Sequence, residues 1–467
     1  MRRIIFIIFI FSAILSSTSI IADTISPKAQ IFELEPFKKG ERVLIFAPHP
    51  DDETIGCAGV IQHALKAGAE IKVVYLTNGD HNQLAFIVYE KRLTLRKGEF
   101  LHMGEVRRKE AVAAMKLLGL KENNLVFLGY PDFGTLAIFN RYWQSLKPFK
   151  SLLTRVTSVP YKNNYSYGSP YTGESILKDF KQIIQDYKPD KIFVSHPADT
   201  NGDHKACYLF CEVALWELKD KIPVPKVYPY LVHHAGWPLP RHYHPEMSLT
   251  PPENLLSQDL SWYDLGLSPD EVEQKHKAML CYKSQTKSSA FYLLSFVRRN
   301  ELFSKYSEIT LSRQMSLKEK AISFLGFSKM YSDSESASLG RLDDLVDDQG
   351  QVSYAVVDNN LLVRVEKEEN ISRRFKVALL LFGFSNKTPF EKMPKIRILT
   401  QYNQVKIINK GRVVPSTGVS VEVNKHALIL RLPLELLGNP DFILTSLRAY
   451  GGKVPVDATA FRKIEIK

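Results

Sequence analysis

The sequence predicts an α/β protein with a Rossmann-like, mostly parallel sheet flanked by helices, followed by a C-terminal all-β sandwich domain. Three observations predict this organisation. In the first part of the chain, short apolar strands alternate with helical patterns, as in a parallel sheet that helices cover on both faces. A serine-rich, acidic segment then ends the alternation. After it, about eight short strand-like runs are separated by glycine, asparagine and proline, which is typical of a β-sandwich.

The first domain is placed at residues 24–325, and its elements are predicted from apolar periodicity and from the glycines that end several runs. The predicted strands are 42–47, 71–76, 125–128, 191–195 and 226–232, and the predicted helices are 54–68, 105–118, 175–187 and 204–218. The segments 133–173 and 239–267 are predicted to be irregular, and long loops often serve a site. Trp262 and Tyr243, in the second segment, either wall a sugar site or pack at the surface.

The second domain is placed at residues 340–467, after a helical pattern at 316–324 and a linker at 326–339. Its strand-like runs are 352–357, 361–365, 375–384, 395–399, 405–408, 419–423, 427–432 and 442–449. The strand pattern loosely resembles that of carbohydrate-binding sandwich modules, so the domain is a candidate carbohydrate-binding module. Fold analogy alone does not establish binding.

Composition and charge exclude several classes of protein. A chain of 467 residues that is 45% hydrophobic is neither disordered, nor collagen-like, nor a multi-span membrane protein. The net charge is +12, but lysine and arginine are scattered rather than collected in runs, so no nucleic-acid partner is expected. A solvated basic surface is the simplest interpretation of the charge. Attraction to an anionic polymer or envelope surface is the alternative.

The N-terminus has the pattern of a secretory signal peptide. Arg2 and Arg3 precede an apolar run at 4–15, and Ala22 offers a small residue for cleavage. The run is short for a membrane span, which needs about 20 apolar residues. We therefore expect a signal peptide at 1–22 and an exported, periplasmic or extracellular protein with no stable membrane span after cleavage. An uncleaved anchor is the alternative.

The strongest chemical signal follows the first long strand and consists of His49-Pro50-Asp51-Asp52-Glu53. Adjacent acids repel each other and need a positive charge to offset them, which a divalent cation would supply. Histidine with aspartate suits zinc, and a hydrolytic zinc site keeps three protein ligands and an open water position. The second acid would then be free to act as a base on that water. The alternative is a solvated helix start with Asp51 or Asp52 as the cap.

A second polar cluster also follows a strand and consists of His196-Pro197-Ala198-Asp199-Thr200-Asn201-Gly202-Asp203-His204. Ligands of parallel sheets collect beyond the carboxyl ends of the strands, where both clusters are predicted to lie. The second cluster could supply the third metal ligand, and His204 is placed to do so because it opens a helix.

Together the two clusters resemble the paired motifs of the PIG-L (LmbE-like) deacetylases, which remove acetyl groups from N-acetylglucosaminyl compounds. The first motif matches closely, including its continuation Thr54-Ile55-Gly56-Cys57-Ala58-Gly59. Between the motifs, Arg107-Arg108-Lys109-Glu110 and Leu128-Gly129-Tyr130-Pro131-Asp132 also fit the family pattern. The resemblance covers about residues 40–300.

The resemblance implies roles for individual residues. It implies that His49, Asp52 and His204 bind zinc and that Asp51 is the general base. It also implies that Arg107 and Asp132 bind the substrate.

One position departs from the family. Many relatives carry a histidine three residues before the last zinc ligand, where this chain has Asn201. An asparagine amide can donate a hydrogen bond to an oxyanion, so Asn201 is assigned to catalysis in that role. It cannot carry a proton, which leaves the general acid open. Asp51, His233 and His234 are the candidates.

These assignments predict a zinc-dependent hydrolase that removes the N-acetyl group from N-acetylglucosamine-type sugars of an extracytoplasmic glycan or glycoconjugate. Its expected partner is an N-acetylated sugar or glycan. Two alternatives stay open: a zinc amidase acting on another N-acyl compound, and a catalytically inactive glycan-binding protein.

Overall fold

The structure is a computed structural model, and it describes residues 30–81, 87, 97–145, 147–257, 259–312, 320–323, 351–367 and 370–467. The predicted signal peptide at 1–22 and the predicted linker at 326–339 lie outside the described residues. Within the described part, no helix combines the length and the apolar character that crossing a bilayer requires.

The first part of the chain forms a mixed, mostly parallel sheet with the strand order β1-β7-β8-β6-β5-β2-β3-β4. Its strands are β1 (Ile31–Glu33), β2 (Arg42–Ala47), β3 (Glu70–Thr77), β4 (Leu125–Tyr130), β5 (Lys191–Ser195), β6 (Lys226–Tyr230), β7 (Leu260–Gly266) and β8 (Asn300–Tyr306). Neighbours among β2 to β6 pair in parallel, whereas β8 runs antiparallel to both β6 and β7. The predicted Rossmann-like sheet is confirmed.

Helices cover both faces of this sheet. They are α1 (Asp52–Ala67), α2 (Lys97–Leu117), α3 (Thr135–Arg141), α4 (Gly173–Tyr187), α5 (Gly202–Leu218), α6 (Pro269–Met279) and α7 (Lys283–Leu293), with short 3-10 turns at Glu122–Asn124, Glu253–Leu255 and Leu294–Phe296. Apolar residues of α1 and α2, such as Val60 and Ala111, belong to one core cluster. Those of α4 and α5, such as Phe180 and Phe210, belong to a second cluster. Two buried layers therefore enclose the sheet.

Helix α1 packs unusually close to its neighbours. A Cβ atom added at Gly56 would lie 2.4 Å from the ring of Tyr230, so only glycine fits there. At Gly59 the backbone N–H donates to Glu301 Oε1 at 2.8 Å, and Lys275 Nζ lies 2.7 Å from the same oxygen. The Lys275–Glu301 pair is fully buried and anchors α1 from behind the first motif.

The second part is a β-sandwich, as predicted. Its strands are β9 (Ile309–Leu311), β10 (Lys320–Ser323), β11 (Gln351–Val357), β12 (Asn360–Glu366), β13 (Phe375–Phe384), β14 (Lys395–Gln401), β15 (Gln404–Asn409), β16 (Arg412–Val414), β17 (Ser420–Val423), β18 (Ala427–Pro433), β19 (Phe442–Gly451), β20 (Val454–Ala458) and β21 (Arg462–Ile466), with a 3-10 turn at Leu434–Leu437. The small sandwich sheet has the order β10-β11-β12-β18-β17, and the large sandwich sheet has the order β16-β15-β14-β13-β19-β21-β9, with β20 beside β19. Their inner faces enclose one apolar core.

Three local predictions were wrong. The helical pattern at 316–324 contains strand β10, because its residues pair antiparallel with β11 and this tertiary pairing outweighs local helix propensity. The segments predicted as irregular contain α3 and β7. Strands β9 and β10 lie before residue 326 but pair with strands of the sandwich. The sandwich therefore begins before the predicted linker.

The large sandwich sheet packs its outer face against the first part of the chain. Phe382 and Phe461 of the sandwich share a buried cluster with Phe210 of α5. The rings of Trp216 on α5 and Phe442 on β19 lie 4.2 Å apart, edge to face. The two parts therefore pack against each other through an apolar interface.

Candidate active site

Both sequence motifs lie at the carboxyl edge of the parallel sheet. Strand β2 leads into α1 and the neighbouring strand β5 leads into α5, and these two helices pack on opposite faces of the sheet. A crevice opens where two such neighbouring strands send their connections to opposite faces, and it is the usual ligand site of open α/β sheets. The fold thus brings together two segments about 150 residues apart in sequence.

Three side chains meet in this crevice around one carboxylate oxygen. Asp52 Oδ2 lies 3.1 Å from His49 Nδ1 and 3.1 Å from His204 Nε2. All three residues are buried, and their possible ligand atoms lie within 4.8 Å of one another. Burial raises the pKa of Asp52, but the neighbouring His204 and His49 outweigh it and hold the pKa well below its usual range. The carboxylate therefore stays charged between two imidazoles.

This group has the donor set of a metal site. Two imidazole nitrogens and one carboxylate oxygen suit zinc in an open, hydrolytic arrangement. His204 Nε2 is buried and makes no well-directed hydrogen bond among the described residues, so it is available to a metal ion. The sequence-assigned ligands His49, Asp52 and His204 are thus brought together in an arrangement that fits a metal ion.

Asp199 backs one of these histidines. Its Oδ2 lies 3.0 Å from His204 Nδ1, on the side of the ring away from Asp52. The same carboxylate accepts hydrogen bonds from the backbone N–H groups of His233 at 2.9 Å and Asn201 at 2.9 Å. Burial raises the pKa of Asp199, but the neighbouring His204 outweighs it and lowers the pKa to about 2. A carboxylate on the second ring nitrogen fixes the tautomer of a metal-binding histidine.

Asp199 belongs to the second motif, but its role beside His204 is not predicted from the sequence. The presence of an acid in the same loop as the proposed ligand histidine could have indicated this role.

His49 is backed in a similar way. Its Nε2 lies 3.2 Å from Asp132 Oδ1 and 3.4 Å from Asp203 Oδ2, so carboxylates face both ring nitrogens. His49, Asp132 and Asp203 could also hold an ion as a group. Both oxygens of Asp203, however, already accept backbone hydrogen bonds at the start of α3, from Phe133 N at 2.6 Å and Thr135 N at 3.0 Å. We therefore interpret this group as support for His49.

Asp132 was assigned to the substrate, and the structure places it against the His49 ring. It is 4% exposed, and its Oδ2 accepts a hydrogen bond from His81 N at 2.9 Å. Its contact with a substrate stays a prediction.

Asp51 occupies the N-cap position of α1 but does not cap the helix with its side chain. Its backbone has φ 123° and ψ −30°, a conformation that residues with a side chain rarely adopt. No side-chain capping hydrogen bond forms there, so the alternative interpretation of Asp51 as a helix cap is not supported. Burial raises the pKa of Asp51 to about 7, against the opposing charge of Arg107.

Arg107 clamps the loop that carries Asp51. Its Nη2 lies 3.2 Å from Asp51 Oδ1 and donates to Pro50 O at 2.7 Å, while Nη1 donates to Gly79 O at 3.1 Å. A Cβ at Gly79 would lie 2.1 Å from the guanidinium, so the clamp requires glycine there. Arg107 is buried, and its assignment to the substrate stays a prediction, while its observed contacts hold Asp51 and its loop in place.

Asn201 is the N-cap of α5, and its Oδ1 accepts a hydrogen bond from Asp203 N at 2.8 Å. This capping contact explains an asparagine at the position without any catalytic role. Its amide nitrogen makes no hydrogen bond within the described residues, so the assignment to an oxyanion also stays a prediction.

The two histidines named as possible acids have different surroundings. The ring of His233 lies 4.7 Å from that of His204, and burial lowers its pKa to about 4. The ring of His234 contacts Asn254 Oδ1 at 2.9 Å instead. His233 is thus the histidine beside the proposed ligands, and it is neutral near pH 7.

The two aromatic residues considered as sugar walls also differ. Trp262 is fully buried in the core and donates from its indole N–H to Leu255 O at 3.1 Å, so it does not wall a site. Tyr243 is 38% exposed and stacks on His276.

Comparisons with known proteins agree with this site. Residues 44–215 match the family described as PIG-L, GlcNAc-PI de-N-acetylase. A 1D-myo-inositol 2-acetamido-2-deoxy-alpha-D-glucopyranoside deacetylase of Mycobacterium sp. (strain KMS) is 26% identical over 202 residues. That match covers 42% of this chain and 56% of the relative, so the chain spans little more than half of the relative's length.

Two solved structures are also similar. N,N'-diacetylchitobiose deacetylase from Pyrococcus horikoshii is 21% identical with a TM-score of 0.32, over 54% of this chain and 72% of that one. The zinc-inhibited form of teicoplanin deacetylase Orf2 is 18% identical with a TM-score of 0.35, over 57% of this chain and 98% of that one.

The family match includes both halves of the crevice, from β2 into α1 and from β5 into α5. The resemblance inferred from the two motifs is confirmed: residues 44–215 of this chain are a PIG-L family domain.

Proposed function

We propose that the protein is an exported, zinc-dependent N-deacetylase that hydrolyses the N-acetyl group of N-acetylglucosamine-type sugars in an extracytoplasmic glycan or glycoconjugate. One observation carries the proposal. Asp52 is shared by His49 and His204 at the carboxyl edge of the sheet, with the strained Asp51 beside it. A metal-ligand set next to a separate carboxylate is the minimum that metal-assisted amide hydrolysis requires.

His49, Asp52 and His204 would hold the zinc ion, and Asp132 and Asp199 would orient the two histidine rings. Zinc, when bound in such a site, lowers the pKa of a coordinated water toward neutrality and polarises a carbonyl oxygen. All three ligands are buried, which strengthens their electrostatic interaction with a bound cation.

Asp51 is assigned to the proton of the attacking water. Its Oδ1 is held by Arg107, and its Oδ2 makes no hydrogen bond among the described residues, so that oxygen can accept a proton. Because its backbone is held in a rare conformation and its loop is clamped, the carboxylate enters the reaction already oriented.

The remaining steps need a donor for the oxyanion and an acid for the leaving amine. The amide nitrogen of Asn201 is the proposed donor to the oxyanion, since its oxygen is already used in capping α5. The leaving amine takes its proton back from Asp51, because burial lowers the pKa of His233 to about 4 and leaves that histidine neutral near pH 7.

The substrate class is supported by the family domain and by the mycobacterial relative, which is named as a deacetylase of a 2-acetamido-2-deoxy-glucopyranoside. The location outside the cytoplasm is supported by the signal-peptide pattern of residues 1–22. A glycan would then be the substrate available to the enzyme.

The test is acetate release by the zinc-loaded protein. It is incubated with N-acetylglucosamine, chitooligosaccharides, N-acetylglucosaminyl glycosides and non-sugar acetamides, and free acetate and free amine are measured together. Release from the amino sugars alone supports the proposal. Release from the non-sugar acetamides alone indicates an amidase of another N-acyl compound. Retained zinc without any release would point to an inactive glycan-binding protein.

A further inference from the structure

A cavity with a basic and apolar lining lies between the large sandwich sheet and helices α3 and α5. Its volume is about 370 Å³, within the usual range of small-molecule sites. Strands β13, β14 and β19 form its floor, and its other side includes Leu136 and Asn140 of α3 and Lys205 of α5. Both parts of the chain are needed to build it.

The floor of the cavity follows from strand register. Arg397 of β14 lies opposite Leu380 of β13, and Arg448 of β19 lies opposite Ala378 of β13. Directly opposite residues point to the same face of a sheet, so the two arginines flank an apolar stripe on the outer face. Leu379, one residue along, points into the sandwich core instead.

Lys205 is unusual among the buried lysines that the structure describes. Lys191 lies 3.1 Å from Glu41, and Lys275 lies 2.7 Å from Glu301. Lys395 donates to the carbonyl groups of Phe390 and Met393, and its Nζ lies over the Phe390 ring. Lys205 is 7% exposed and has no ion pair or side-chain hydrogen bond in this part of the chain.

A buried charge without a partner is costly, and an anionic ligand beside it would offset that cost. Lys205 faces the cavity that Arg397 and Arg448 also line. Across the described ranges, neither arginine forms an ion pair, and no acidic residue lines the cavity. The nearby Asp199 already serves the His204 ring and backbone N–H groups, which leaves it little capacity to balance Lys205.

The uncharged lining adds features suited to a sugar. Asn140 Oδ1 is buried and lacks a hydrogen-bond partner in the described structure, so it can accept from a hydroxyl group. Tyr450, Phe382 and Phe461 also line the cavity and offer aromatic surface. A bare inorganic anion would leave both the amide oxygen and this apolar surface unused.

We propose that this cavity binds a sugar unit that carries a carboxylate or a phosphate group. Lys205, Arg397 and Arg448 pair with the anionic group, and Asn140 accepts a hydrogen bond from a sugar hydroxyl. The proposal does not depend on the deacetylase activity, because its test measures binding. It also gives part of the protein's net charge of +12 a role, which is to bind an anionic saccharide.

The experiment is isothermal titration calorimetry of the zinc-loaded chain with glucuronate, glucose 6-phosphate, inorganic phosphate and glucose. At least one anionic sugar should bind at least tenfold more tightly than glucose and than inorganic phosphate. The two anionic sugars distinguish a carboxylate from a phosphate ligand. If glucose binds equally well, or if inorganic phosphate accounts for all the affinity, the proposal is wrong.

Two variants and a control locate the site. Binding should weaken at least tenfold in K205M and in the double variant R397E/R448E. The control K66E/K425E makes the same charge change as the double variant at exposed lysines outside the cavity, and it should bind within twofold of wild type. Equal losses in the control, or losses that follow zinc content in every variant, would overturn the assignment.

Melting temperature separates a ligand-binding lysine from a structural one. K205M removes an unpaired buried charge and keeps a similar shape, so its melting temperature without sugar should not fall. A lower melting temperature would show that Lys205 stabilises the fold, against the proposal. Because R397E/R448E changes only half-buried and exposed residues, it gives a readout even if K205M does not fold.

Discussion

The metal site and the cavity beneath the sandwich carry opposite excesses of charge. At the carboxyl edge of the sheet, acids crowd two imidazoles, with Asp51 and Asp52 adjacent. In the cavity, Lys205, Arg397 and Arg448 face one another with no acid in the lining among the described residues. The same rule applies to the acids of the first region and to Lys205 in the second: a buried charge that the chain does not balance is stabilised by a partner of opposite charge. The first region fits a cation and the second fits an anion.

The largest expected effect is loss of the metal ion from the acid-rich site. His204→Ala removes a buried imidazole from the ligand set, so zinc measured after dialysis should fall from one per chain to nearly none. His234→Asn is the matched control, since His234 contacts Asn254 rather than the ligand group. Full zinc content in His204→Ala would show that the ligand assignment is wrong.

The next effect separates the two adjacent acids. Asp51→Asn keeps the shape of the side chain and removes the proton acceptor, so turnover should fall by roughly 10²–10⁴ while zinc stays bound. Asp52→Asn should instead lower zinc content, because Asp52 lies 3.1 Å from both histidine rings. Acetate release and zinc content are measured for both variants. Near-normal turnover in Asp51→Asn contradicts the mechanism.

A third prediction contrasts a paired with an unpaired buried lysine. Lys275→Met leaves Glu301 as an uncompensated buried charge, which should lower the free energy of unfolding by about 3–5 kcal/mol. The same substitution at Lys205 should cause no such loss. Urea denaturation of both variants measures the difference. Similar losses at the two positions would remove the distinction between them.

The smallest effect concerns the support of His204. Asp199→Asn keeps the size of the side chain but removes the charge beside His204 Nδ1, so zinc affinity should fall by roughly 10–100-fold. Competition with a chelator measures that affinity. The readout is specific because a purely structural role would lower the melting temperature and leave the zinc affinity of the folded protein unchanged.

Features that depend on neighbouring residues could be predicted from the sequence. The first and last residues of β2 and β5 were predicted correctly, because each of these short apolar runs ends at a polar motif. His49, Asp51 and Asp52 were singled out because they are neighbours in sequence, and His204 because the second cluster also follows a strand. The structure brings His49, Asp52 and His204 together, while the roles that the family resemblance implies for these residues stay predictions.

Features made by distant segments were missed. Strand β10 was predicted as helix, since its partner β11 is known only in the folded chain. Trp262 was considered for a sugar site, yet tertiary packing buries it in the core. The cavity could not be predicted, because Lys205, Arg397 and Arg448 come together from three separate elements. The spacing of these three residues in the sequence does not indicate that they line one cavity.

The last strand has a consequence for the order of folding. Strand β21 pairs in parallel with β9, and Thr310 Oγ1 donates to Glu465 Oε2 at 3.1 Å across a sequence separation of 155 residues. Contacts so distant in sequence form late, since the entropy of closing the intervening loop is lost before they stabilise the chain. During synthesis the Rossmann-like sheet emerges before β21. The large sandwich sheet can therefore be completed beside α5, the helix that carries His204, only after translation has passed β21.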